Sequence, residues 1–257
     1  MNNNYLIWGL VAVAIVVGLL MMNRQSSLVN KPQPKGSSVG TSKTAVVDYN
    51  PIINPNDFVA KIDNKYFTLT PGTKITYQKK TEEGNERIDL VVTNETKKIM
   101  GVTTTLVQDT VYLNDKLKED TKDWYAQDKM GNVWYFAEAV DNFENGKLAD
   151  HKGSFEAGVD GAKPGIIMKA NPQIGDNYRQ EYYKGVAEDY AQVVALDKTI
   201  TIAKGTYKNC LQTKDKSYID LTLDENKYYC PDVGYVTLEE KAVKGGLEKL
   251  ELVSVLH

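Results

Sequence analysis

The chain has 257 residues, 42% hydrophobic and 25% charged, a globular balance that excludes wholesale disorder. Its 31 basic and 34 acidic side chains leave a net charge of −3, so no basic excess points to nucleic acid. Two His and two Cys leave little material for a His/Cys cage, and neither a metal nor a cofactor is expected.

Residues Tyr5 to Met22 read YLIWGLVAVAIVVGLLMM, an uncharged run of 18. At about 1.5 Å per residue such a helix just crosses a bilayer core of about 30 Å. The preceding Met1-Asn2-Asn3-Asn4 lacks Lys and Arg, no small-x-small cleavage site follows, and no Cys ends the run. A cleaved leader and a lipoprotein signal both fit less well than a transmembrane helix in residues 1–22, a single-pass anchor. Residues 23–50 are rich in Ser, Gly, Pro, Asn and Lys without apolar periodicity, and read as a flexible linker. The first 44 residues hold four basic and no acidic side chains. Removing them leaves 27 against 34, a charge of −7 for residues 45–257.

Residues 51–257 form the folded domain. In ERIDLVV, Ile88, Leu90 and Val92 alternate with Arg87, Asp89 and Val91, and residues 97–113 are dense in Val, Thr and Ile. Turn signals recur every 8–15 residues, among them Asn114-Asp115, Asn145-Gly146 and Lys204-Gly205. The pattern predicts an all-β, antiparallel fold of about 12 to 16 strands, with a short helix around Asn56–Lys61 as the best helical candidate. The stretch from Gly153 to Asp189 holds two Pro and six Gly, and reads as a long excursion or as a linker between two β-halves.

Cys210 and Cys230 are 20 residues apart. If 206–213, 217–223 and 226–230 make a three-strand meander, the two Cys lie on second-neighbour strands about 10 Å apart, too far to bridge. A disulfide therefore requires 206–213 to meet 226–232 directly, or the sheet to bend sharply; otherwise both thiols are free. His151, in a polar stretch, reads as solvated. No G-x-S-x-G, H-E-x-x-H, P-loop or dinucleotide fingerprint occurs. Glu181, Glu188 and Asp189 near Arg179 form one acidic cluster, and Glu138, Asp141 and Glu144 another. Each reads as a solvated face, with a carboxylate hydrolase as the sharper alternative. Asp128, Gly131 and Asn132 offer hard oxygens to calcium but are explained more simply by a hairpin turn.

Sixteen Tyr and three Trp include adjacent pairs such as Trp124-Tyr125, Trp134-Tyr135 and Tyr182-Tyr183. On a strand, neighbours face opposite sides, so each pair offers one ring to the core and one outward. Trp124, Trp134, Tyr182 and Tyr183, with Arg179 as polar anchor, are the candidate ligand surface. Cross-strand aromatic pairing is the plainer alternative.

Several segments carry a resemblance: Asn64-x-Tyr66-Phe67-x-Leu69-x-Pro71-Gly72, Asp123-Trp124-Tyr125-Ala126-Gln127-Asp128, Gly131-Asn132-Val133-Trp134-Tyr135-Phe136, Asn171-Pro172-x-x-Gly175-Asp176-x-Tyr178-Arg179, and Lys227-Tyr228-Tyr229-x-Pro231. They resemble an uncharacterised family of secreted or membrane-anchored prokaryotic all-β proteins. The resemblance implies export and a strongly curved antiparallel sheet, either a half-barrel similar to the lipoprotein carriers or two packed β-subdomains. That family has no assigned activity, so no catalytic residue is carried over. Arg24, Lys31, Lys35 and Lys43 beyond the anchor favour a cytoplasmic domain by the positive-inside tendency. The resemblance and the Cys pair favour the outside. The resulting expectation is an extracytoplasmic binding module of the cell envelope, held at the cell membrane by its N-terminal helix. Its ligand would be an apolar molecule, a glycan or an envelope protein. A ligand-free structural role and a hydrolase of envelope polymers are the alternatives.

Overall fold

The computed structural model describes residues 49–244 and 246–257. The expected transmembrane helix of residues 1–22 and nearly all of the linker of residues 23–50 lie outside the described residues. Among the described residues, no helix is long and apolar enough to cross a membrane.

Three short strands come first: β1 (Phe58–Val59), β2 (Ile62–Asn64) and β3 (Phe67–Leu69). A meander of long strands follows: β4 (Lys74–Thr81), β5 (Gly84–Ile99), β6 (Val102–Leu113), β7 (Lys116–Asp128) and β8 (Val133–Glu144). Short pieces then intervene: β9 (Lys147–Asp150), β10 (Phe155–Glu156), β11 (Lys163–Met168), β12 (Asn177–Arg179) and β13 (Glu181–Tyr182). A second long meander ends the chain: β14 (Asp189–Ile202), β15 (Gly205–Ser217), β16 (Glu225–Cys230), β17 (Tyr235–Val243) and β18 (Gly246–Leu256). These 18 strands among the described residues exceed the expected 12 to 16 because pieces of two or three residues are too short to carry a readable period. The all-β, antiparallel class is as expected.

The last strand returns to the first long one. β18 pairs with β4 over six residues, from Leu250 opposite Lys79 to Leu256 opposite Lys74. The main sheet therefore runs β12-β14-β15-β16-β17-β18-β4-β5-β6-β7-β8-β11-β13. Its two ends, β12 and β13, are consecutive in the chain with Gln180 alone between them. The sheet thus curls into a nearly closed barrel, beyond the half-barrel expected and without a division into two packed subdomains. The stretch from Gly153 to Asp189 links the two meanders and makes this closure. Gly165 of β11 lies against it: a Cβ there would overlap the carbonyl group of Gln180.

Local chemistry explains the other departures. The helix expected around Asn56–Lys61 is a single 3-10 turn, Pro55–Asp57, capped by Asn54, whose side chain accepts from the Asn56 N–H. It stops because Phe58 pairs with Asp128 of β7. The strand expected at 217–223 is a loop, where Ser217 Oγ accepts from the N–H groups of Ile219 and Asp220. With that strand gone, β15 and β16 are direct neighbours and Leu211 lies opposite Tyr229. Cys210 and Cys230 meet at a Cα separation of 4.2 Å and form the disulfide. Asn145-Gly146 makes the expected two-residue hairpin, with φ of 52° and 74°.

One end of the barrel is plugged. The β2–β3 hairpin buries Ile62, Tyr66, Phe67 and Leu69 in the core. The Phe67 ring lies 5.4 Å from Tyr125 and 4.7 Å from Tyr235. Gln127 pins the hairpin: its Oε1 accepts from the N–H groups of Asp63 and Asn64, each at 2.9 Å.

Candidate functional site

The structure distributes the five ligand-surface candidates over three places. Trp134 lies on the barrel exterior, its ring 6.3 Å from Phe58 and its Nε1 donating to Asp128 Oδ2 at 2.8 Å. Asp128 Oδ1 accepts from the N–H groups of Met130 and Asn132. With N–H donors on both its oxygens, Asp128 organises the β7–β8 turn and has no geometry for calcium.

Trp124 and Tyr183 do come together. They line a cleft of about 390 Å³ beside β8 and β10, with Lys97, Ser154, Glu156 and Asp160. Lys97 Nζ sits 4.9 Å from the centre of the Trp124 ring and pairs with Glu156 at 2.6 Å. Buried Glu138 contributes to the same wall.

Arg179 and Tyr182 share the third place, over the barrel closure. The guanidinium stacks 4.8 Å from the Tyr182 ring, 4.4 Å from Tyr218 and 5.9 Å from Tyr49, and pairs with Glu188 at 3.4 Å. Tyr49 extends the cluster: its hydroxyl donates to the Pro164 carbonyl at 2.9 Å, and Lys163 Nζ donates to the Tyr49 carbonyl. Residue 49, inside the expected linker, is therefore part of the folded body.

The largest feature was not expected. Glu138, Glu181 and Asp189, read from sequence as solvated, are buried inside the barrel. They belong to a belt of ionisable groups that follows the strand registers. Lys79 lies opposite Glu86, Asp123 opposite Glu138, Asp215 opposite Glu225, and Lys227 opposite Glu239. Asp109 and Glu119 add to it on β6 and β7. The belt holds ten buried carboxyls against two buried ammonium groups, Lys79 and Lys227.

The two lysines lie on one side. Lys79 pairs with Glu86 at 2.8 Å, and Lys227 reaches Asp215 at 3.3 Å and Glu239 at 3.8 Å. Burial alone would lower the Lys79 ammonium, but Glu86 more than offsets it and the group is raised. On β6, β7, β8, β13 and β14 the buried acids have no such partner: both carboxyl oxygens of Asp109 and of Glu138 lack a hydrogen bond. Asp123 accepts from the Tyr135 hydroxyl at 2.6 Å and Glu119 from Thr121 at 2.7 Å. Burial pushes Asp123 up to about 7, against the pull of the Tyr135 bond. It pushes Glu119 and Asp189 up to about 8, and Asp109, Glu138 and Glu181 well above the carboxylate range. Among the described residues, no three His, Cys, Asp or Glu side chains are grouped so as to hold a metal ion.

The belt was readable in principle. Extending the alternation of Ile88, Leu90 and Val92 back by two gives Glu86, and stepping along β7 gives Glu119, Thr121, Asp123 and Tyr125, all on the buried face. Comparison with family models, with curated proteins and with solved structures gives no match to this chain.

Proposed function

We propose that the chain is a membrane-anchored binding module of the cell envelope, its barrel outside the cytoplasm, and that the Trp124–Tyr183 cleft is its ligand site. The observation that carries this reading is the cleft itself, where an indole face, a phenol, an ammonium and two carboxylates converge. Small-molecule sites combine such an apolar platform with a few convergent polar groups. Lys97 already rests on the indole face, so the ring is exposed enough to be covered and polar enough in its surroundings to favour a hydrophilic partner. Among an apolar molecule, a glycan and an envelope protein, this lining fits a glycan best: a sugar ring stacks on Trp and offers hydroxyls to Glu156 and Asp160. The apolar run at Tyr5–Met22 supports the anchor, and the Cys210–Cys230 disulfide supports an oxidising compartment.

The test is calorimetric titration of the full-length protein in detergent with envelope oligosaccharides. Trp124→Ala and Tyr183→Ala should each weaken binding by about tenfold or more while the melting temperature holds within a few degrees. Titrations without heat for every glycan class, or binding unmoved by either variant, would reject the site and leave a structural envelope role as the better reading. One observation favours a hydrolase as the second reading: two carboxylates, Glu156 and Asp160, line the same cleft. Turnover of a bound glycan that vanishes in Asp160→Asn would establish it.

A further inference from the structure

The barrel closes along two unlike lines. β18 and β4 share a six-residue ladder, whereas β13 meets β11 over two residues and β12 meets β14 over three. Three of the four belt acids with neither carboxyl oxygen hydrogen-bonded lie beside the weaker line, the fourth being Asp109 on β6. Glu181 lies on β13, Asp189 on β14 and Glu138 on β8, the strand next to β11. Gln180, at the junction, donates its N–H to the Asp189 carbonyl at 2.9 Å and its amide Nε2 to Asp215 at 3.3 Å.

The charged groups facing this cluster can be taken strand by strand. β7 contributes Glu119 and Asp123, and β15 contributes Asp215. β16 contributes Glu225 and Lys227; Lys227 is engaged by Asp215 and Glu239, and Glu225 pairs outward with Lys241 at 3.0 Å. β10 sets Phe155 opposite Glu138, while Glu156 lies on the outer side, paired to Lys97. On the outer side of the closure, Arg179 is held by Glu188 and three aromatic rings. Among the described residues, Lys227 is therefore the one buried cation that acts on Glu181 and Asp189, and Asp215 and Glu239 hold it at the same time. Several carboxylates cannot be ionised together in this space without a compensating charge.

We propose that the β11–β13/β12–β14 closure is a proton-operated seam: protonated Glu138, Glu181 and Asp189 hold the barrel shut, and their ionisation parts it there. The direction follows from linkage. A carboxyl whose folded-state value lies above its unfolded value stabilises the closed form fully below about pH 4, and that stabilisation is lost as pH rises through the folded value. Asp189, at about 8, places the window on the alkaline side of neutrality. In that window the opening equilibrium rises about tenfold per pH unit for each proton released. The seam works irrespective of whether the neighbouring cleft takes a glycan, so its test needs no ligand.

The experiment is hydrogen exchange read by mass spectrometry on full-length protein in detergent between pH 6 and 9.5, corrected for intrinsic exchange rates. Peptides covering 163–190 should lose protection by at least tenfold across the range, while peptides covering β4 and β18 stay protected. The triple variant Glu138→Gln, Glu181→Gln, Asp189→Asn should keep the seam protected at pH 9.5. Uniform loss over the seam and the β4–β18 ladder would overturn the proposal, because it reports global unfolding. A seam as protected at pH 9.5 as at pH 6, or one that opens equally in the variant, would also overturn it. Should the triple variant fail to fold, each single amide variant must move the midpoint of seam opening upward in pH; an unmoved midpoint in all three rejects the seam.

Discussion

The two closures of this barrel solve one problem in different ways. Between β18 and β4, backbone ladders run over six residues and the inward side chains Tyr77, Leu250 and Leu252 are apolar or aromatic and buried. At the β11–β13/β12–β14 line the ladders are short, and side chains take over. Arg179 and its aromatic neighbours cover the outside, and buried acids line the inside. The one buried charge of that ladder, Lys79, is matched by Glu86 at 2.8 Å, so the ladder holds no unpaired carboxyl to open it as pH rises toward 9. A closure built from carboxyls and a stacked guanidinium depends on conditions. The plug sharpens the contrast: where Phe67 fills the barrel, its neighbours are the rings of Tyr125 and Tyr235.

The largest effect should come from the plug. Phe67→Ala removes a fully buried ring and should cost about 3–5 kcal/mol, read as a fall of roughly 10 °C in melting temperature. It should loosen ladder and seam together, and a variant that frees the seam alone would break the distinction between them. Replacing both cysteines by Ser releases a loop closed across 20 residues and should cost about 3 kcal/mol. Denaturant melts at pH 6 and pH 9 should show the same loss, since Cys210 lies toward the far end of the β14–β15 ladder, opposite Lys198, whereas Asp189 lies opposite Ser217. Gly165→Ala forces a methyl group against the Gln180 carbonyl and should cost about 1–3 kcal/mol. Limited proteolysis should then cut first within 170–187, with β4 and β18 intact. Arg179→Ala should cost about 1 kcal/mol and shift the pH of seam opening downward, as measured by tyrosine fluorescence through Tyr182 and Tyr218.

Much of the fold was legible because its long strands are long. Alternation in 86–92 and the hairpin at Asn145-Gly146 depend on local backbone preferences, which sequence records directly. The closure was not legible. Strands of two and three residues have no period, and the return of β18 to β4 joins segments about 170 residues apart. The disulfide turned on whether 217–223 is a strand, a question settled by the Ser217 side chain bonding to the next backbone N–H groups. The candidate site divides in the same way. Trp124 and Tyr183 were named from their outward aromatic pattern, but their meeting depends on the excursion after Gly153 folding back across β8. The acid belt is not legible residue by residue, because a lone Asp or Glu has the preference of a surface residue. Placed in strand register with Ile88 or Tyr125, the same residues point inward.

The position of Tyr49 carries a mechanical consequence. The described chain begins there, bound to Pro164 and Lys163 of β11 and lying under the Arg179 stack. Tension applied through the preceding residues would thus be delivered to β11, which meets β13 over two residues, and not to the β4–β18 ladder. A pull there separates β11 from β13 one pair at a time, so its threshold would be set by two residue pairs and the contacts of the Tyr182 ring with Tyr49 and Lys163. The rest of the barrel, cross-linked at Cys210–Cys230, would stay folded while its flank responded to force.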